Sequence, residues 1–152
     1  MNEYMKMAIE EAYNGIRLGE GGPFGAVVVR DGEVIAKGHN EVLKRHDPTC
    51  HGEVMAIRRA TRKLGTHDLS GCEIYTTGEP CPMCLGAIMW ANIEKVYYGC
   101  NIDDTELIGF RDKNFYERES QGGGEGFSVE LDREACLELY RDYAAITDKE
   151  NY

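Results

Sequence analysis

Residues 73–100, EIYTTGEPCPMCLGAIMWANIEKVYYGC, decide the fold. Glu73 to Thr77 reads as a short strand, Cys81 to Ala91 as a nearly all-apolar helix, and Lys95 to Cys100 as a second strand. A strand, an apolar helix and a strand imply a right-handed crossover, and with it a mixed sheet carrying helices on both faces. The helix opens on Pro80-Cys81-Pro82-Met83-Cys84. Positions i and i+3 of a helix stand ~5–6 Å apart at Cβ, a span that two zinc–sulfur bonds of ~2.3 Å can close. Pro82 falls in the first turn, where its missing N–H costs nothing, and the positive helix end favours thiolates over thiols. Alone, this pair also fits a redox couple, half of a four-cysteine structural zinc site, or two thiols of a cysteine-containing core. The other ligands decide.

Working outward toward the N-terminus, residues 2–19 place Met5, Ala8, Ile9, Ala12 and Ile16 at helical spacing, an amphipathic first helix ended by Gly19, Gly21, Gly22 and Pro23. Phe24 to Val29 runs almost without a polar residue, as a strand buried on both faces does. Asp31-Gly32 is a hairpin turn signal, so Val34 to Gly38 returns antiparallel. Residues 39–49 are polar and turn-rich, a loop delivering the next helix, with Asp47, Pro48 and Thr49 at its boundary. From His51 that helix presents Val54, Ile57, Thr61 and Leu64 as its buried stripe and stops at Gly65.

Toward the C-terminus the pattern weakens. Residues 101–121 read as short helical turns and loop, Gly122, Gly123 and Gly124 as a flexible link, and Phe127 to Leu131 as an edge strand. Asp132 then caps a last helix with a stripe of Cys136, Leu139, Tyr140 and Tyr143. Together these elements predict an α/β protein of three α/β/α layers, with a central mixed sheet of about five strands.

At 152 residues the chain suits one core, read as a single domain over 1–152. It has no apolar run near 18 residues and no leader-like start, so a cytosolic chain without a membrane role is expected. Six cysteines in such a chain read as reduced thiols or metal ligands. Seventeen basic against 27 acidic residues give a net charge of −10, which repels phosphate backbones.

Thirty residues before Cys81, His51-Gly52-Glu53 occupies the same kind of helix start after a strand and loop. In a mixed sheet both starts can converge at the carboxyl ends of neighbouring strands, where ligands bind. One His with two Cys supplies three ligands, which leaves zinc an open fourth position for water. Glu53, two residues from His51, stands beside the metal rather than on it, placed to take and return protons. Cys50 and His46 are the nearby candidates for a closing fourth ligand. Cys50 reads better as a small core residue and His46 as a solvated loop histidine.

His-x-Glu followed by Pro-Cys-x-x-Cys is the signature of zinc nucleobase deaminases. The match extends to Gly22-Pro23-Phe24-Gly25-Ala26-Val27-Val28-Val29, to Asp47-Pro48-Thr49-Cys50-His51-Gly52-Glu53, and to Glu79 through Ile88. These stretches resemble the cytidine and deoxycytidylate deaminase superfamily, and within it the small bacterial guanine deaminases. One departure is Gly52, where alanine is usual. The resemblance implies a cytidine deaminase-like fold, one zinc per chain on His51, Cys81 and Cys84, and Glu53 as proton shuttle. It also implies Asn40 hydrogen-bonded to the purine, Asp112 accepting from its N–H edge, Phe24 and Trp90 enclosing the ring, and Tyr152 in a C-terminal lid. A homodimer is implied as well, with residues 132–152 covering the active site and exchanged between subunits.

The tRNA adenosine deaminases share the signature and His46-Asp47-Pro48-Thr49, but they must hold a polyanion. Residues 111–152 carry eleven acidic and six basic side chains, a net of −5, which opposes RNA docking. The expected reaction is therefore hydrolytic deamination of a free purine base, guanine to xanthine and ammonia. A tRNA adenosine deaminase, or a deaminase of another small base such as cytosine or an aminotriazine, is the alternative.

Overall fold

A computed structural model describes all residues, 1–152. Asp31 and Gly32, both at positive φ (51° and 79°), turn β1 (Gly25–Arg30) back onto β2 (Glu33–His39), with Gly25 opposite His39 and Arg30 opposite Glu33. Positive φ at both turn positions matches the twist of a two-residue hairpin. β3 (Cys72–Gly78) runs antiparallel along the other side of β1, and β4 (Lys95–Cys100) runs parallel to β3. The order is β2-β1-β3-β4.

Alternate residues of β1 serve two cores, because successive strand side chains point to opposite faces. Val27 and Val29, with Tyr75, pack against Ala8 and its neighbours on α1 (Glu3–Arg17). Ala26 and Val28, with Ile74, pack against Ala56 and Ala60 of α3 (Gly52–Leu64) and Ile88 of α4 (Pro82–Trp90). The protein therefore has the three α/β/α layers its sequence predicts. At Gly25 the outer helix comes so close that a Cβ would lie 2.1 Å from the Ala8 carbonyl.

Several expectations need correction. The sheet has four strands, not five: Phe127 to Leu131 forms no strand. Gly122, Gly123, Gly124 and Gly126 all adopt positive φ, and the turns they make leave the segment with no strand edge beside it. Asp132 occupies the N-cap position of the last helix, α7 (Arg133–Ala145), as expected, but without a side-chain cap. It sits at φ 53° and its side chain bonds no helix N–H. The stripe expected on that helix is exposed, and α7 has no buried residue. On α3 the buried face is Gly52, Glu53, Met55, Ala56 and Ala60, while Val54, Ile57, Thr61 and Leu64 are only half-buried. Small side chains lie against the sheet because the approach is tight: a Cβ on Gly38 of β2 would reach 2.6 Å from the Ala56 nitrogen. The 39–49 loop contains a short helix, α2 (Val42–Arg45). The weakly patterned stretch after residue 100 contains two more helices, α5 (Ile102–Leu107) and α6 (Asp112–Glu119). No helix is long and apolar enough to cross a membrane.

Candidate active site

Two helix starts meet at the carboxyl end of β3. His51 is the N-cap of α3 and Cys81 the N-cap of α4, both with extended backbone. His51 Nδ1 lies 3.6 Å from Cys81 Sγ and 3.5 Å from Cys84 Sγ. A tetrahedral zinc with bonds of ~2.0–2.1 Å to nitrogen and ~2.3 Å to sulfur sets such N···S separations at about 3.6 Å. The trio thus fits zinc without rearrangement. It also offers no fourth protein ligand: the cluster is His51, Cys81 and Cys84, and Cys50 is fully buried with Arg58 Nη1 3.4 Å from its sulfur.

Without metal, the two thiols share protons unequally. The Cys84 thiol donates to Cys81 and holds the Cys81 thiol well below its usual range. Burial opposes this, while His51 and the Cys84 backbone N–H reinforce it. The same contact, with burial and the Glu53 charge, pushes the Cys84 thiol up. The hydrogen bond to Cys81 raises His51 against the effect of burial. A divalent cation replaces these protons, which is what a low-pKa thiol beside an imidazole is suited to allow.

Glu53 is 4 % exposed. The Thr76 hydroxyl donates to its Oε1 at 3.0 Å, and Glu53 lines a cavity. That cavity, of about 520 Å³, is lined by Phe24, Asn40, His51, Glu53, Cys81 and Asp112, among others. Its volume falls within the ~300–1,000 Å³ typical of small-ligand sites. Asn40 is 4 % exposed. Its Oδ1 accepts from the Val42 N–H at 3.0 Å, its backbone N–H donates to the Phe24 carbonyl at 2.9 Å, and its amide N–H₂ is left to offer a ligand. Asp112 starts α6, and burial beside the Cys81 charge raises its pKa, with His51 opposing.

Trp90 and Tyr152 are not brought to this cavity within one chain. Trp90 ends α4 at 68 % exposure and Tyr152 is 80 % exposed. Their rings approach each other at 6.0 Å, with His67 6.0 Å from Tyr152.

Sequence reasoning missed four contributors. Phe110 meets Phe24 edge to face at 4.8 Å and 85°, completing an aromatic wall. Glu79 lines the cavity, and its Oε2 accepts from the Ile102 N–H at 3.0 Å. Thr76 orients Glu53. The Tyr116 hydroxyl donates to the Pro80 carbonyl, tying α6 to the residue before Cys81. Glu79 had a sequence signal, at the head of the Glu79–Ile88 stretch, and Phe110 stands two residues before Asp112, while Thr76 and Tyr116 had none.

A family model described as the cytidine and deoxycytidylate deaminase zinc-binding region matches residues 1–100. A guanine deaminase of Bacillus subtilis is 48 % identical over 114 residues, covering 75 % of this chain and 73 % of that one. A crystal structure of Bacillus subtilis guanine deaminase superposes with a TM-score of 0.89 at 39 % identity, covering 100 % of this chain and 99 % of the other. A tRNA-specific adenosine deaminase of Aquifex aeolicus is 46 % identical over 95 residues, 62 % of each chain.

Proposed function

The chain belongs to the cytidine and deoxycytidylate deaminase family, and from that premise we propose that it hydrolyses guanine to xanthine and ammonia. One observation carries the reading. His51 and Cys81 of a trio that could hold a metal, the buried Glu53 carboxylate, Asn40 and Asp112 line one cavity of small-ligand size. His51, Cys81 and Cys84 would hold zinc, which would bring the pKa of a bound water down to ~7.

The protein's own groups handle the rest. Glu53, anchored at Oε1 by Thr76, takes the proton of the attacking water and delivers it to N3 as the C–O bond forms at C2. It then carries the second proton to the exocyclic amine as the C–N bond breaks, so ammonia leaves and N3–H remains on xanthine. Asn40 donates to an acceptor on the purine, Asp112 accepts from its N–H edge, and Phe24, backed by Phe110, covers the ring.

The choice of guanine over tRNA rests on the C-terminal third. A solved tRNA:A34 deaminase covers 64 % of this chain at a TM-score of 0.62, whereas the Bacillus guanine deaminase structure covers 100 % of it at 0.89. The net −5 of residues 111–152 repels a polyanion.

The same segment supports a homodimer with exchanged ends. Phe127, Val129, Leu131, Leu139 and Tyr140 are each at least 65 % exposed, an apolar surface that a lone soluble chain rarely presents. β4 lies at the sheet edge with an apolar groove beside it, lined by Met5, Ile9, Ala12, Tyr13 and Ile16. On this reading residues 1–152 are one deaminase domain. Residues 132–152, ending in Tyr152, cover the site of the partner subunit, and Trp90 takes its place in the completed wall.

The direct test of the mechanism is Glu53→Gln with zinc content verified. Loss of about 10²–10⁴-fold in ammonia release from guanine is expected, and near-normal turnover with zinc retained would remove Glu53 from the proton path.

A further inference from the structure

Behind the purine-facing wall lies a second polar cluster that the chemistry above does not use. His39, the last residue of β2 and 8 % exposed, immediately precedes Asn40. Its Nδ1 is 3.1 Å from Glu11 Oε2 of α1, and its Nε2 is 2.6 Å from Glu20 Oε2 in the loop after α1. A neutral imidazole carries one N–H and can satisfy one carboxylate; only the imidazolium donates to both.

The other charged groups facing this ring come from the elements around it. Glu41 Oε1 lies 3.9 Å from Nε2 and is itself held by Arg59 of α3 at 2.9 Å and by Arg45 of α2. Lys44 of α2 bonds Glu20 at 2.9 Å. Every member is partnered, so the cluster is an ion-pair network and not a vacant metal site.

We infer that His39, held doubly protonated between Glu11 and Glu20, is the positioning residue that fixes Asn40 and the α2 wall for the purine. The inference rests on the guanine-deaminase reading and adds to it a pH-dependent support for substrate binding. The mechanical path is short. The Glu20 carbonyl accepts from the Leu43 and Lys44 N–H groups, so moving Glu20 moves α2, and Leu43 lines the cavity. Gly21, next in the chain, has no room to yield: a Cβ there would be 2.1 Å from Asn40 Oδ1. Gly15 presses the ring from the other side, where a Cβ would be 2.7 Å from the His39 ring.

Deprotonation places a lone pair against a carboxylate at one of the two nitrogens, loosening the contact that locates Glu20 or Glu11. Burial alone would lower the His39 pKa, but hydrogen bonds to Glu20 and then Glu11 outweigh it and raise the folded value above 6.5. The sign follows. Support for Asn40 is complete below pH 6.5 and is lost as pH rises through the raised folded value.

The test combines ring NMR with steady-state kinetics on zinc-loaded protein. Of the chain's four histidines, the resonance absent in His39→Gln identifies the ring, which should titrate above pH 6.5. Wild-type kcat/KM for guanine should fall on the alkaline side through KM while kcat holds. Glu11→Gln should move that limb to lower pH and leave the acid-side constants unchanged. Ionisation of guanine itself is common to both enzymes and cancels in the comparison. His39→Gln should raise KM about tenfold at pH 6 with kcat within a few-fold and one zinc per chain retained. A ring titrating at or below 6.5, or an active wild type whose limb Glu11→Gln does not move, overturns the inference alone. A zinc-replete wild type without guanine turnover overturns the deaminase reading and this inference together.

Discussion

Gly52 stands between His51 of the candidate metal trio and Glu53, the proposed proton carrier, where a first-turn alanine would gain roughly 1 kcal/mol of helix propensity. The structure gives the reason for glycine. A Cβ there would lie 2.9 Å from the Phe24 carbonyl, the same oxygen that accepts the Asn40 N–H. Gly52→Ala should therefore fail to stabilise the protein in thermal melts and should raise the guanine KM. A rise in stability of about 1 kcal/mol with unchanged KM would show that the carbonyl moves aside at no cost. The chemical residues were the most legible part of the sequence, because His51, Cys81 and Cys84 owe their convergence to spacing on two helix starts. Residues that support them through single hydrogen bonds, such as Thr76 to Glu53 and His39 to Glu11 and Glu20, carry no spacing signal. Their partners lie 23, 28 and 19 positions away in sequence, and only the fold brings them together.

Among the elements, α6 shows what periodicity could not reveal. Its residues 112–119 are mostly solvated, so no apolar stripe marks it, yet its first residue, Asp112, reaches the cavity. Tyr116, one turn on, holds α6 to the Pro80 carbonyl. Removing that hydroxyl with Tyr116→Phe should cost about 1 kcal/mol of stability and raise the guanine KM more than it lowers kcat, since Asp112 loses its tether while Glu53 keeps Thr76. Equal losses in kcat and kcat/KM, with KM unchanged, would instead place Tyr116 in the metal-ligand geometry. β1 and β3 were readable because both of their faces are covered, whereas Phe127 to Leu131 has strand-like residues and pairs with no strand. Local pattern specifies a strand only where an edge is available to pair with it.

For the whole molecule, the compact part is residues 1–119, where the sheet and its covering helices supply their own core, while α7 buries nothing. An amphipathic helix gains its stability from packing, and the proposed subunit exchange would give α7 a surface to pack on. A chain ending at Gln121 should keep zinc, run as a monomer in light scattering, and lose guanine affinity far more than thermal stability. A truncated dimer with full affinity would contradict the exchange. The acidic balance makes a related demand: anticodon stem-loop RNA should bind weakly, with little salt-dependent affinity.

The central claim is tested most directly by ammonia release from a panel of guanine, adenine, cytosine, an aminotriazine, their nucleosides where these exist, and tRNA, each with zinc-replete full-length protein. The account predicts that guanine is preferred and xanthine is the product. Preferential deamination of adenosine in tRNA, or of cytosine, with guanine untouched, would contradict it.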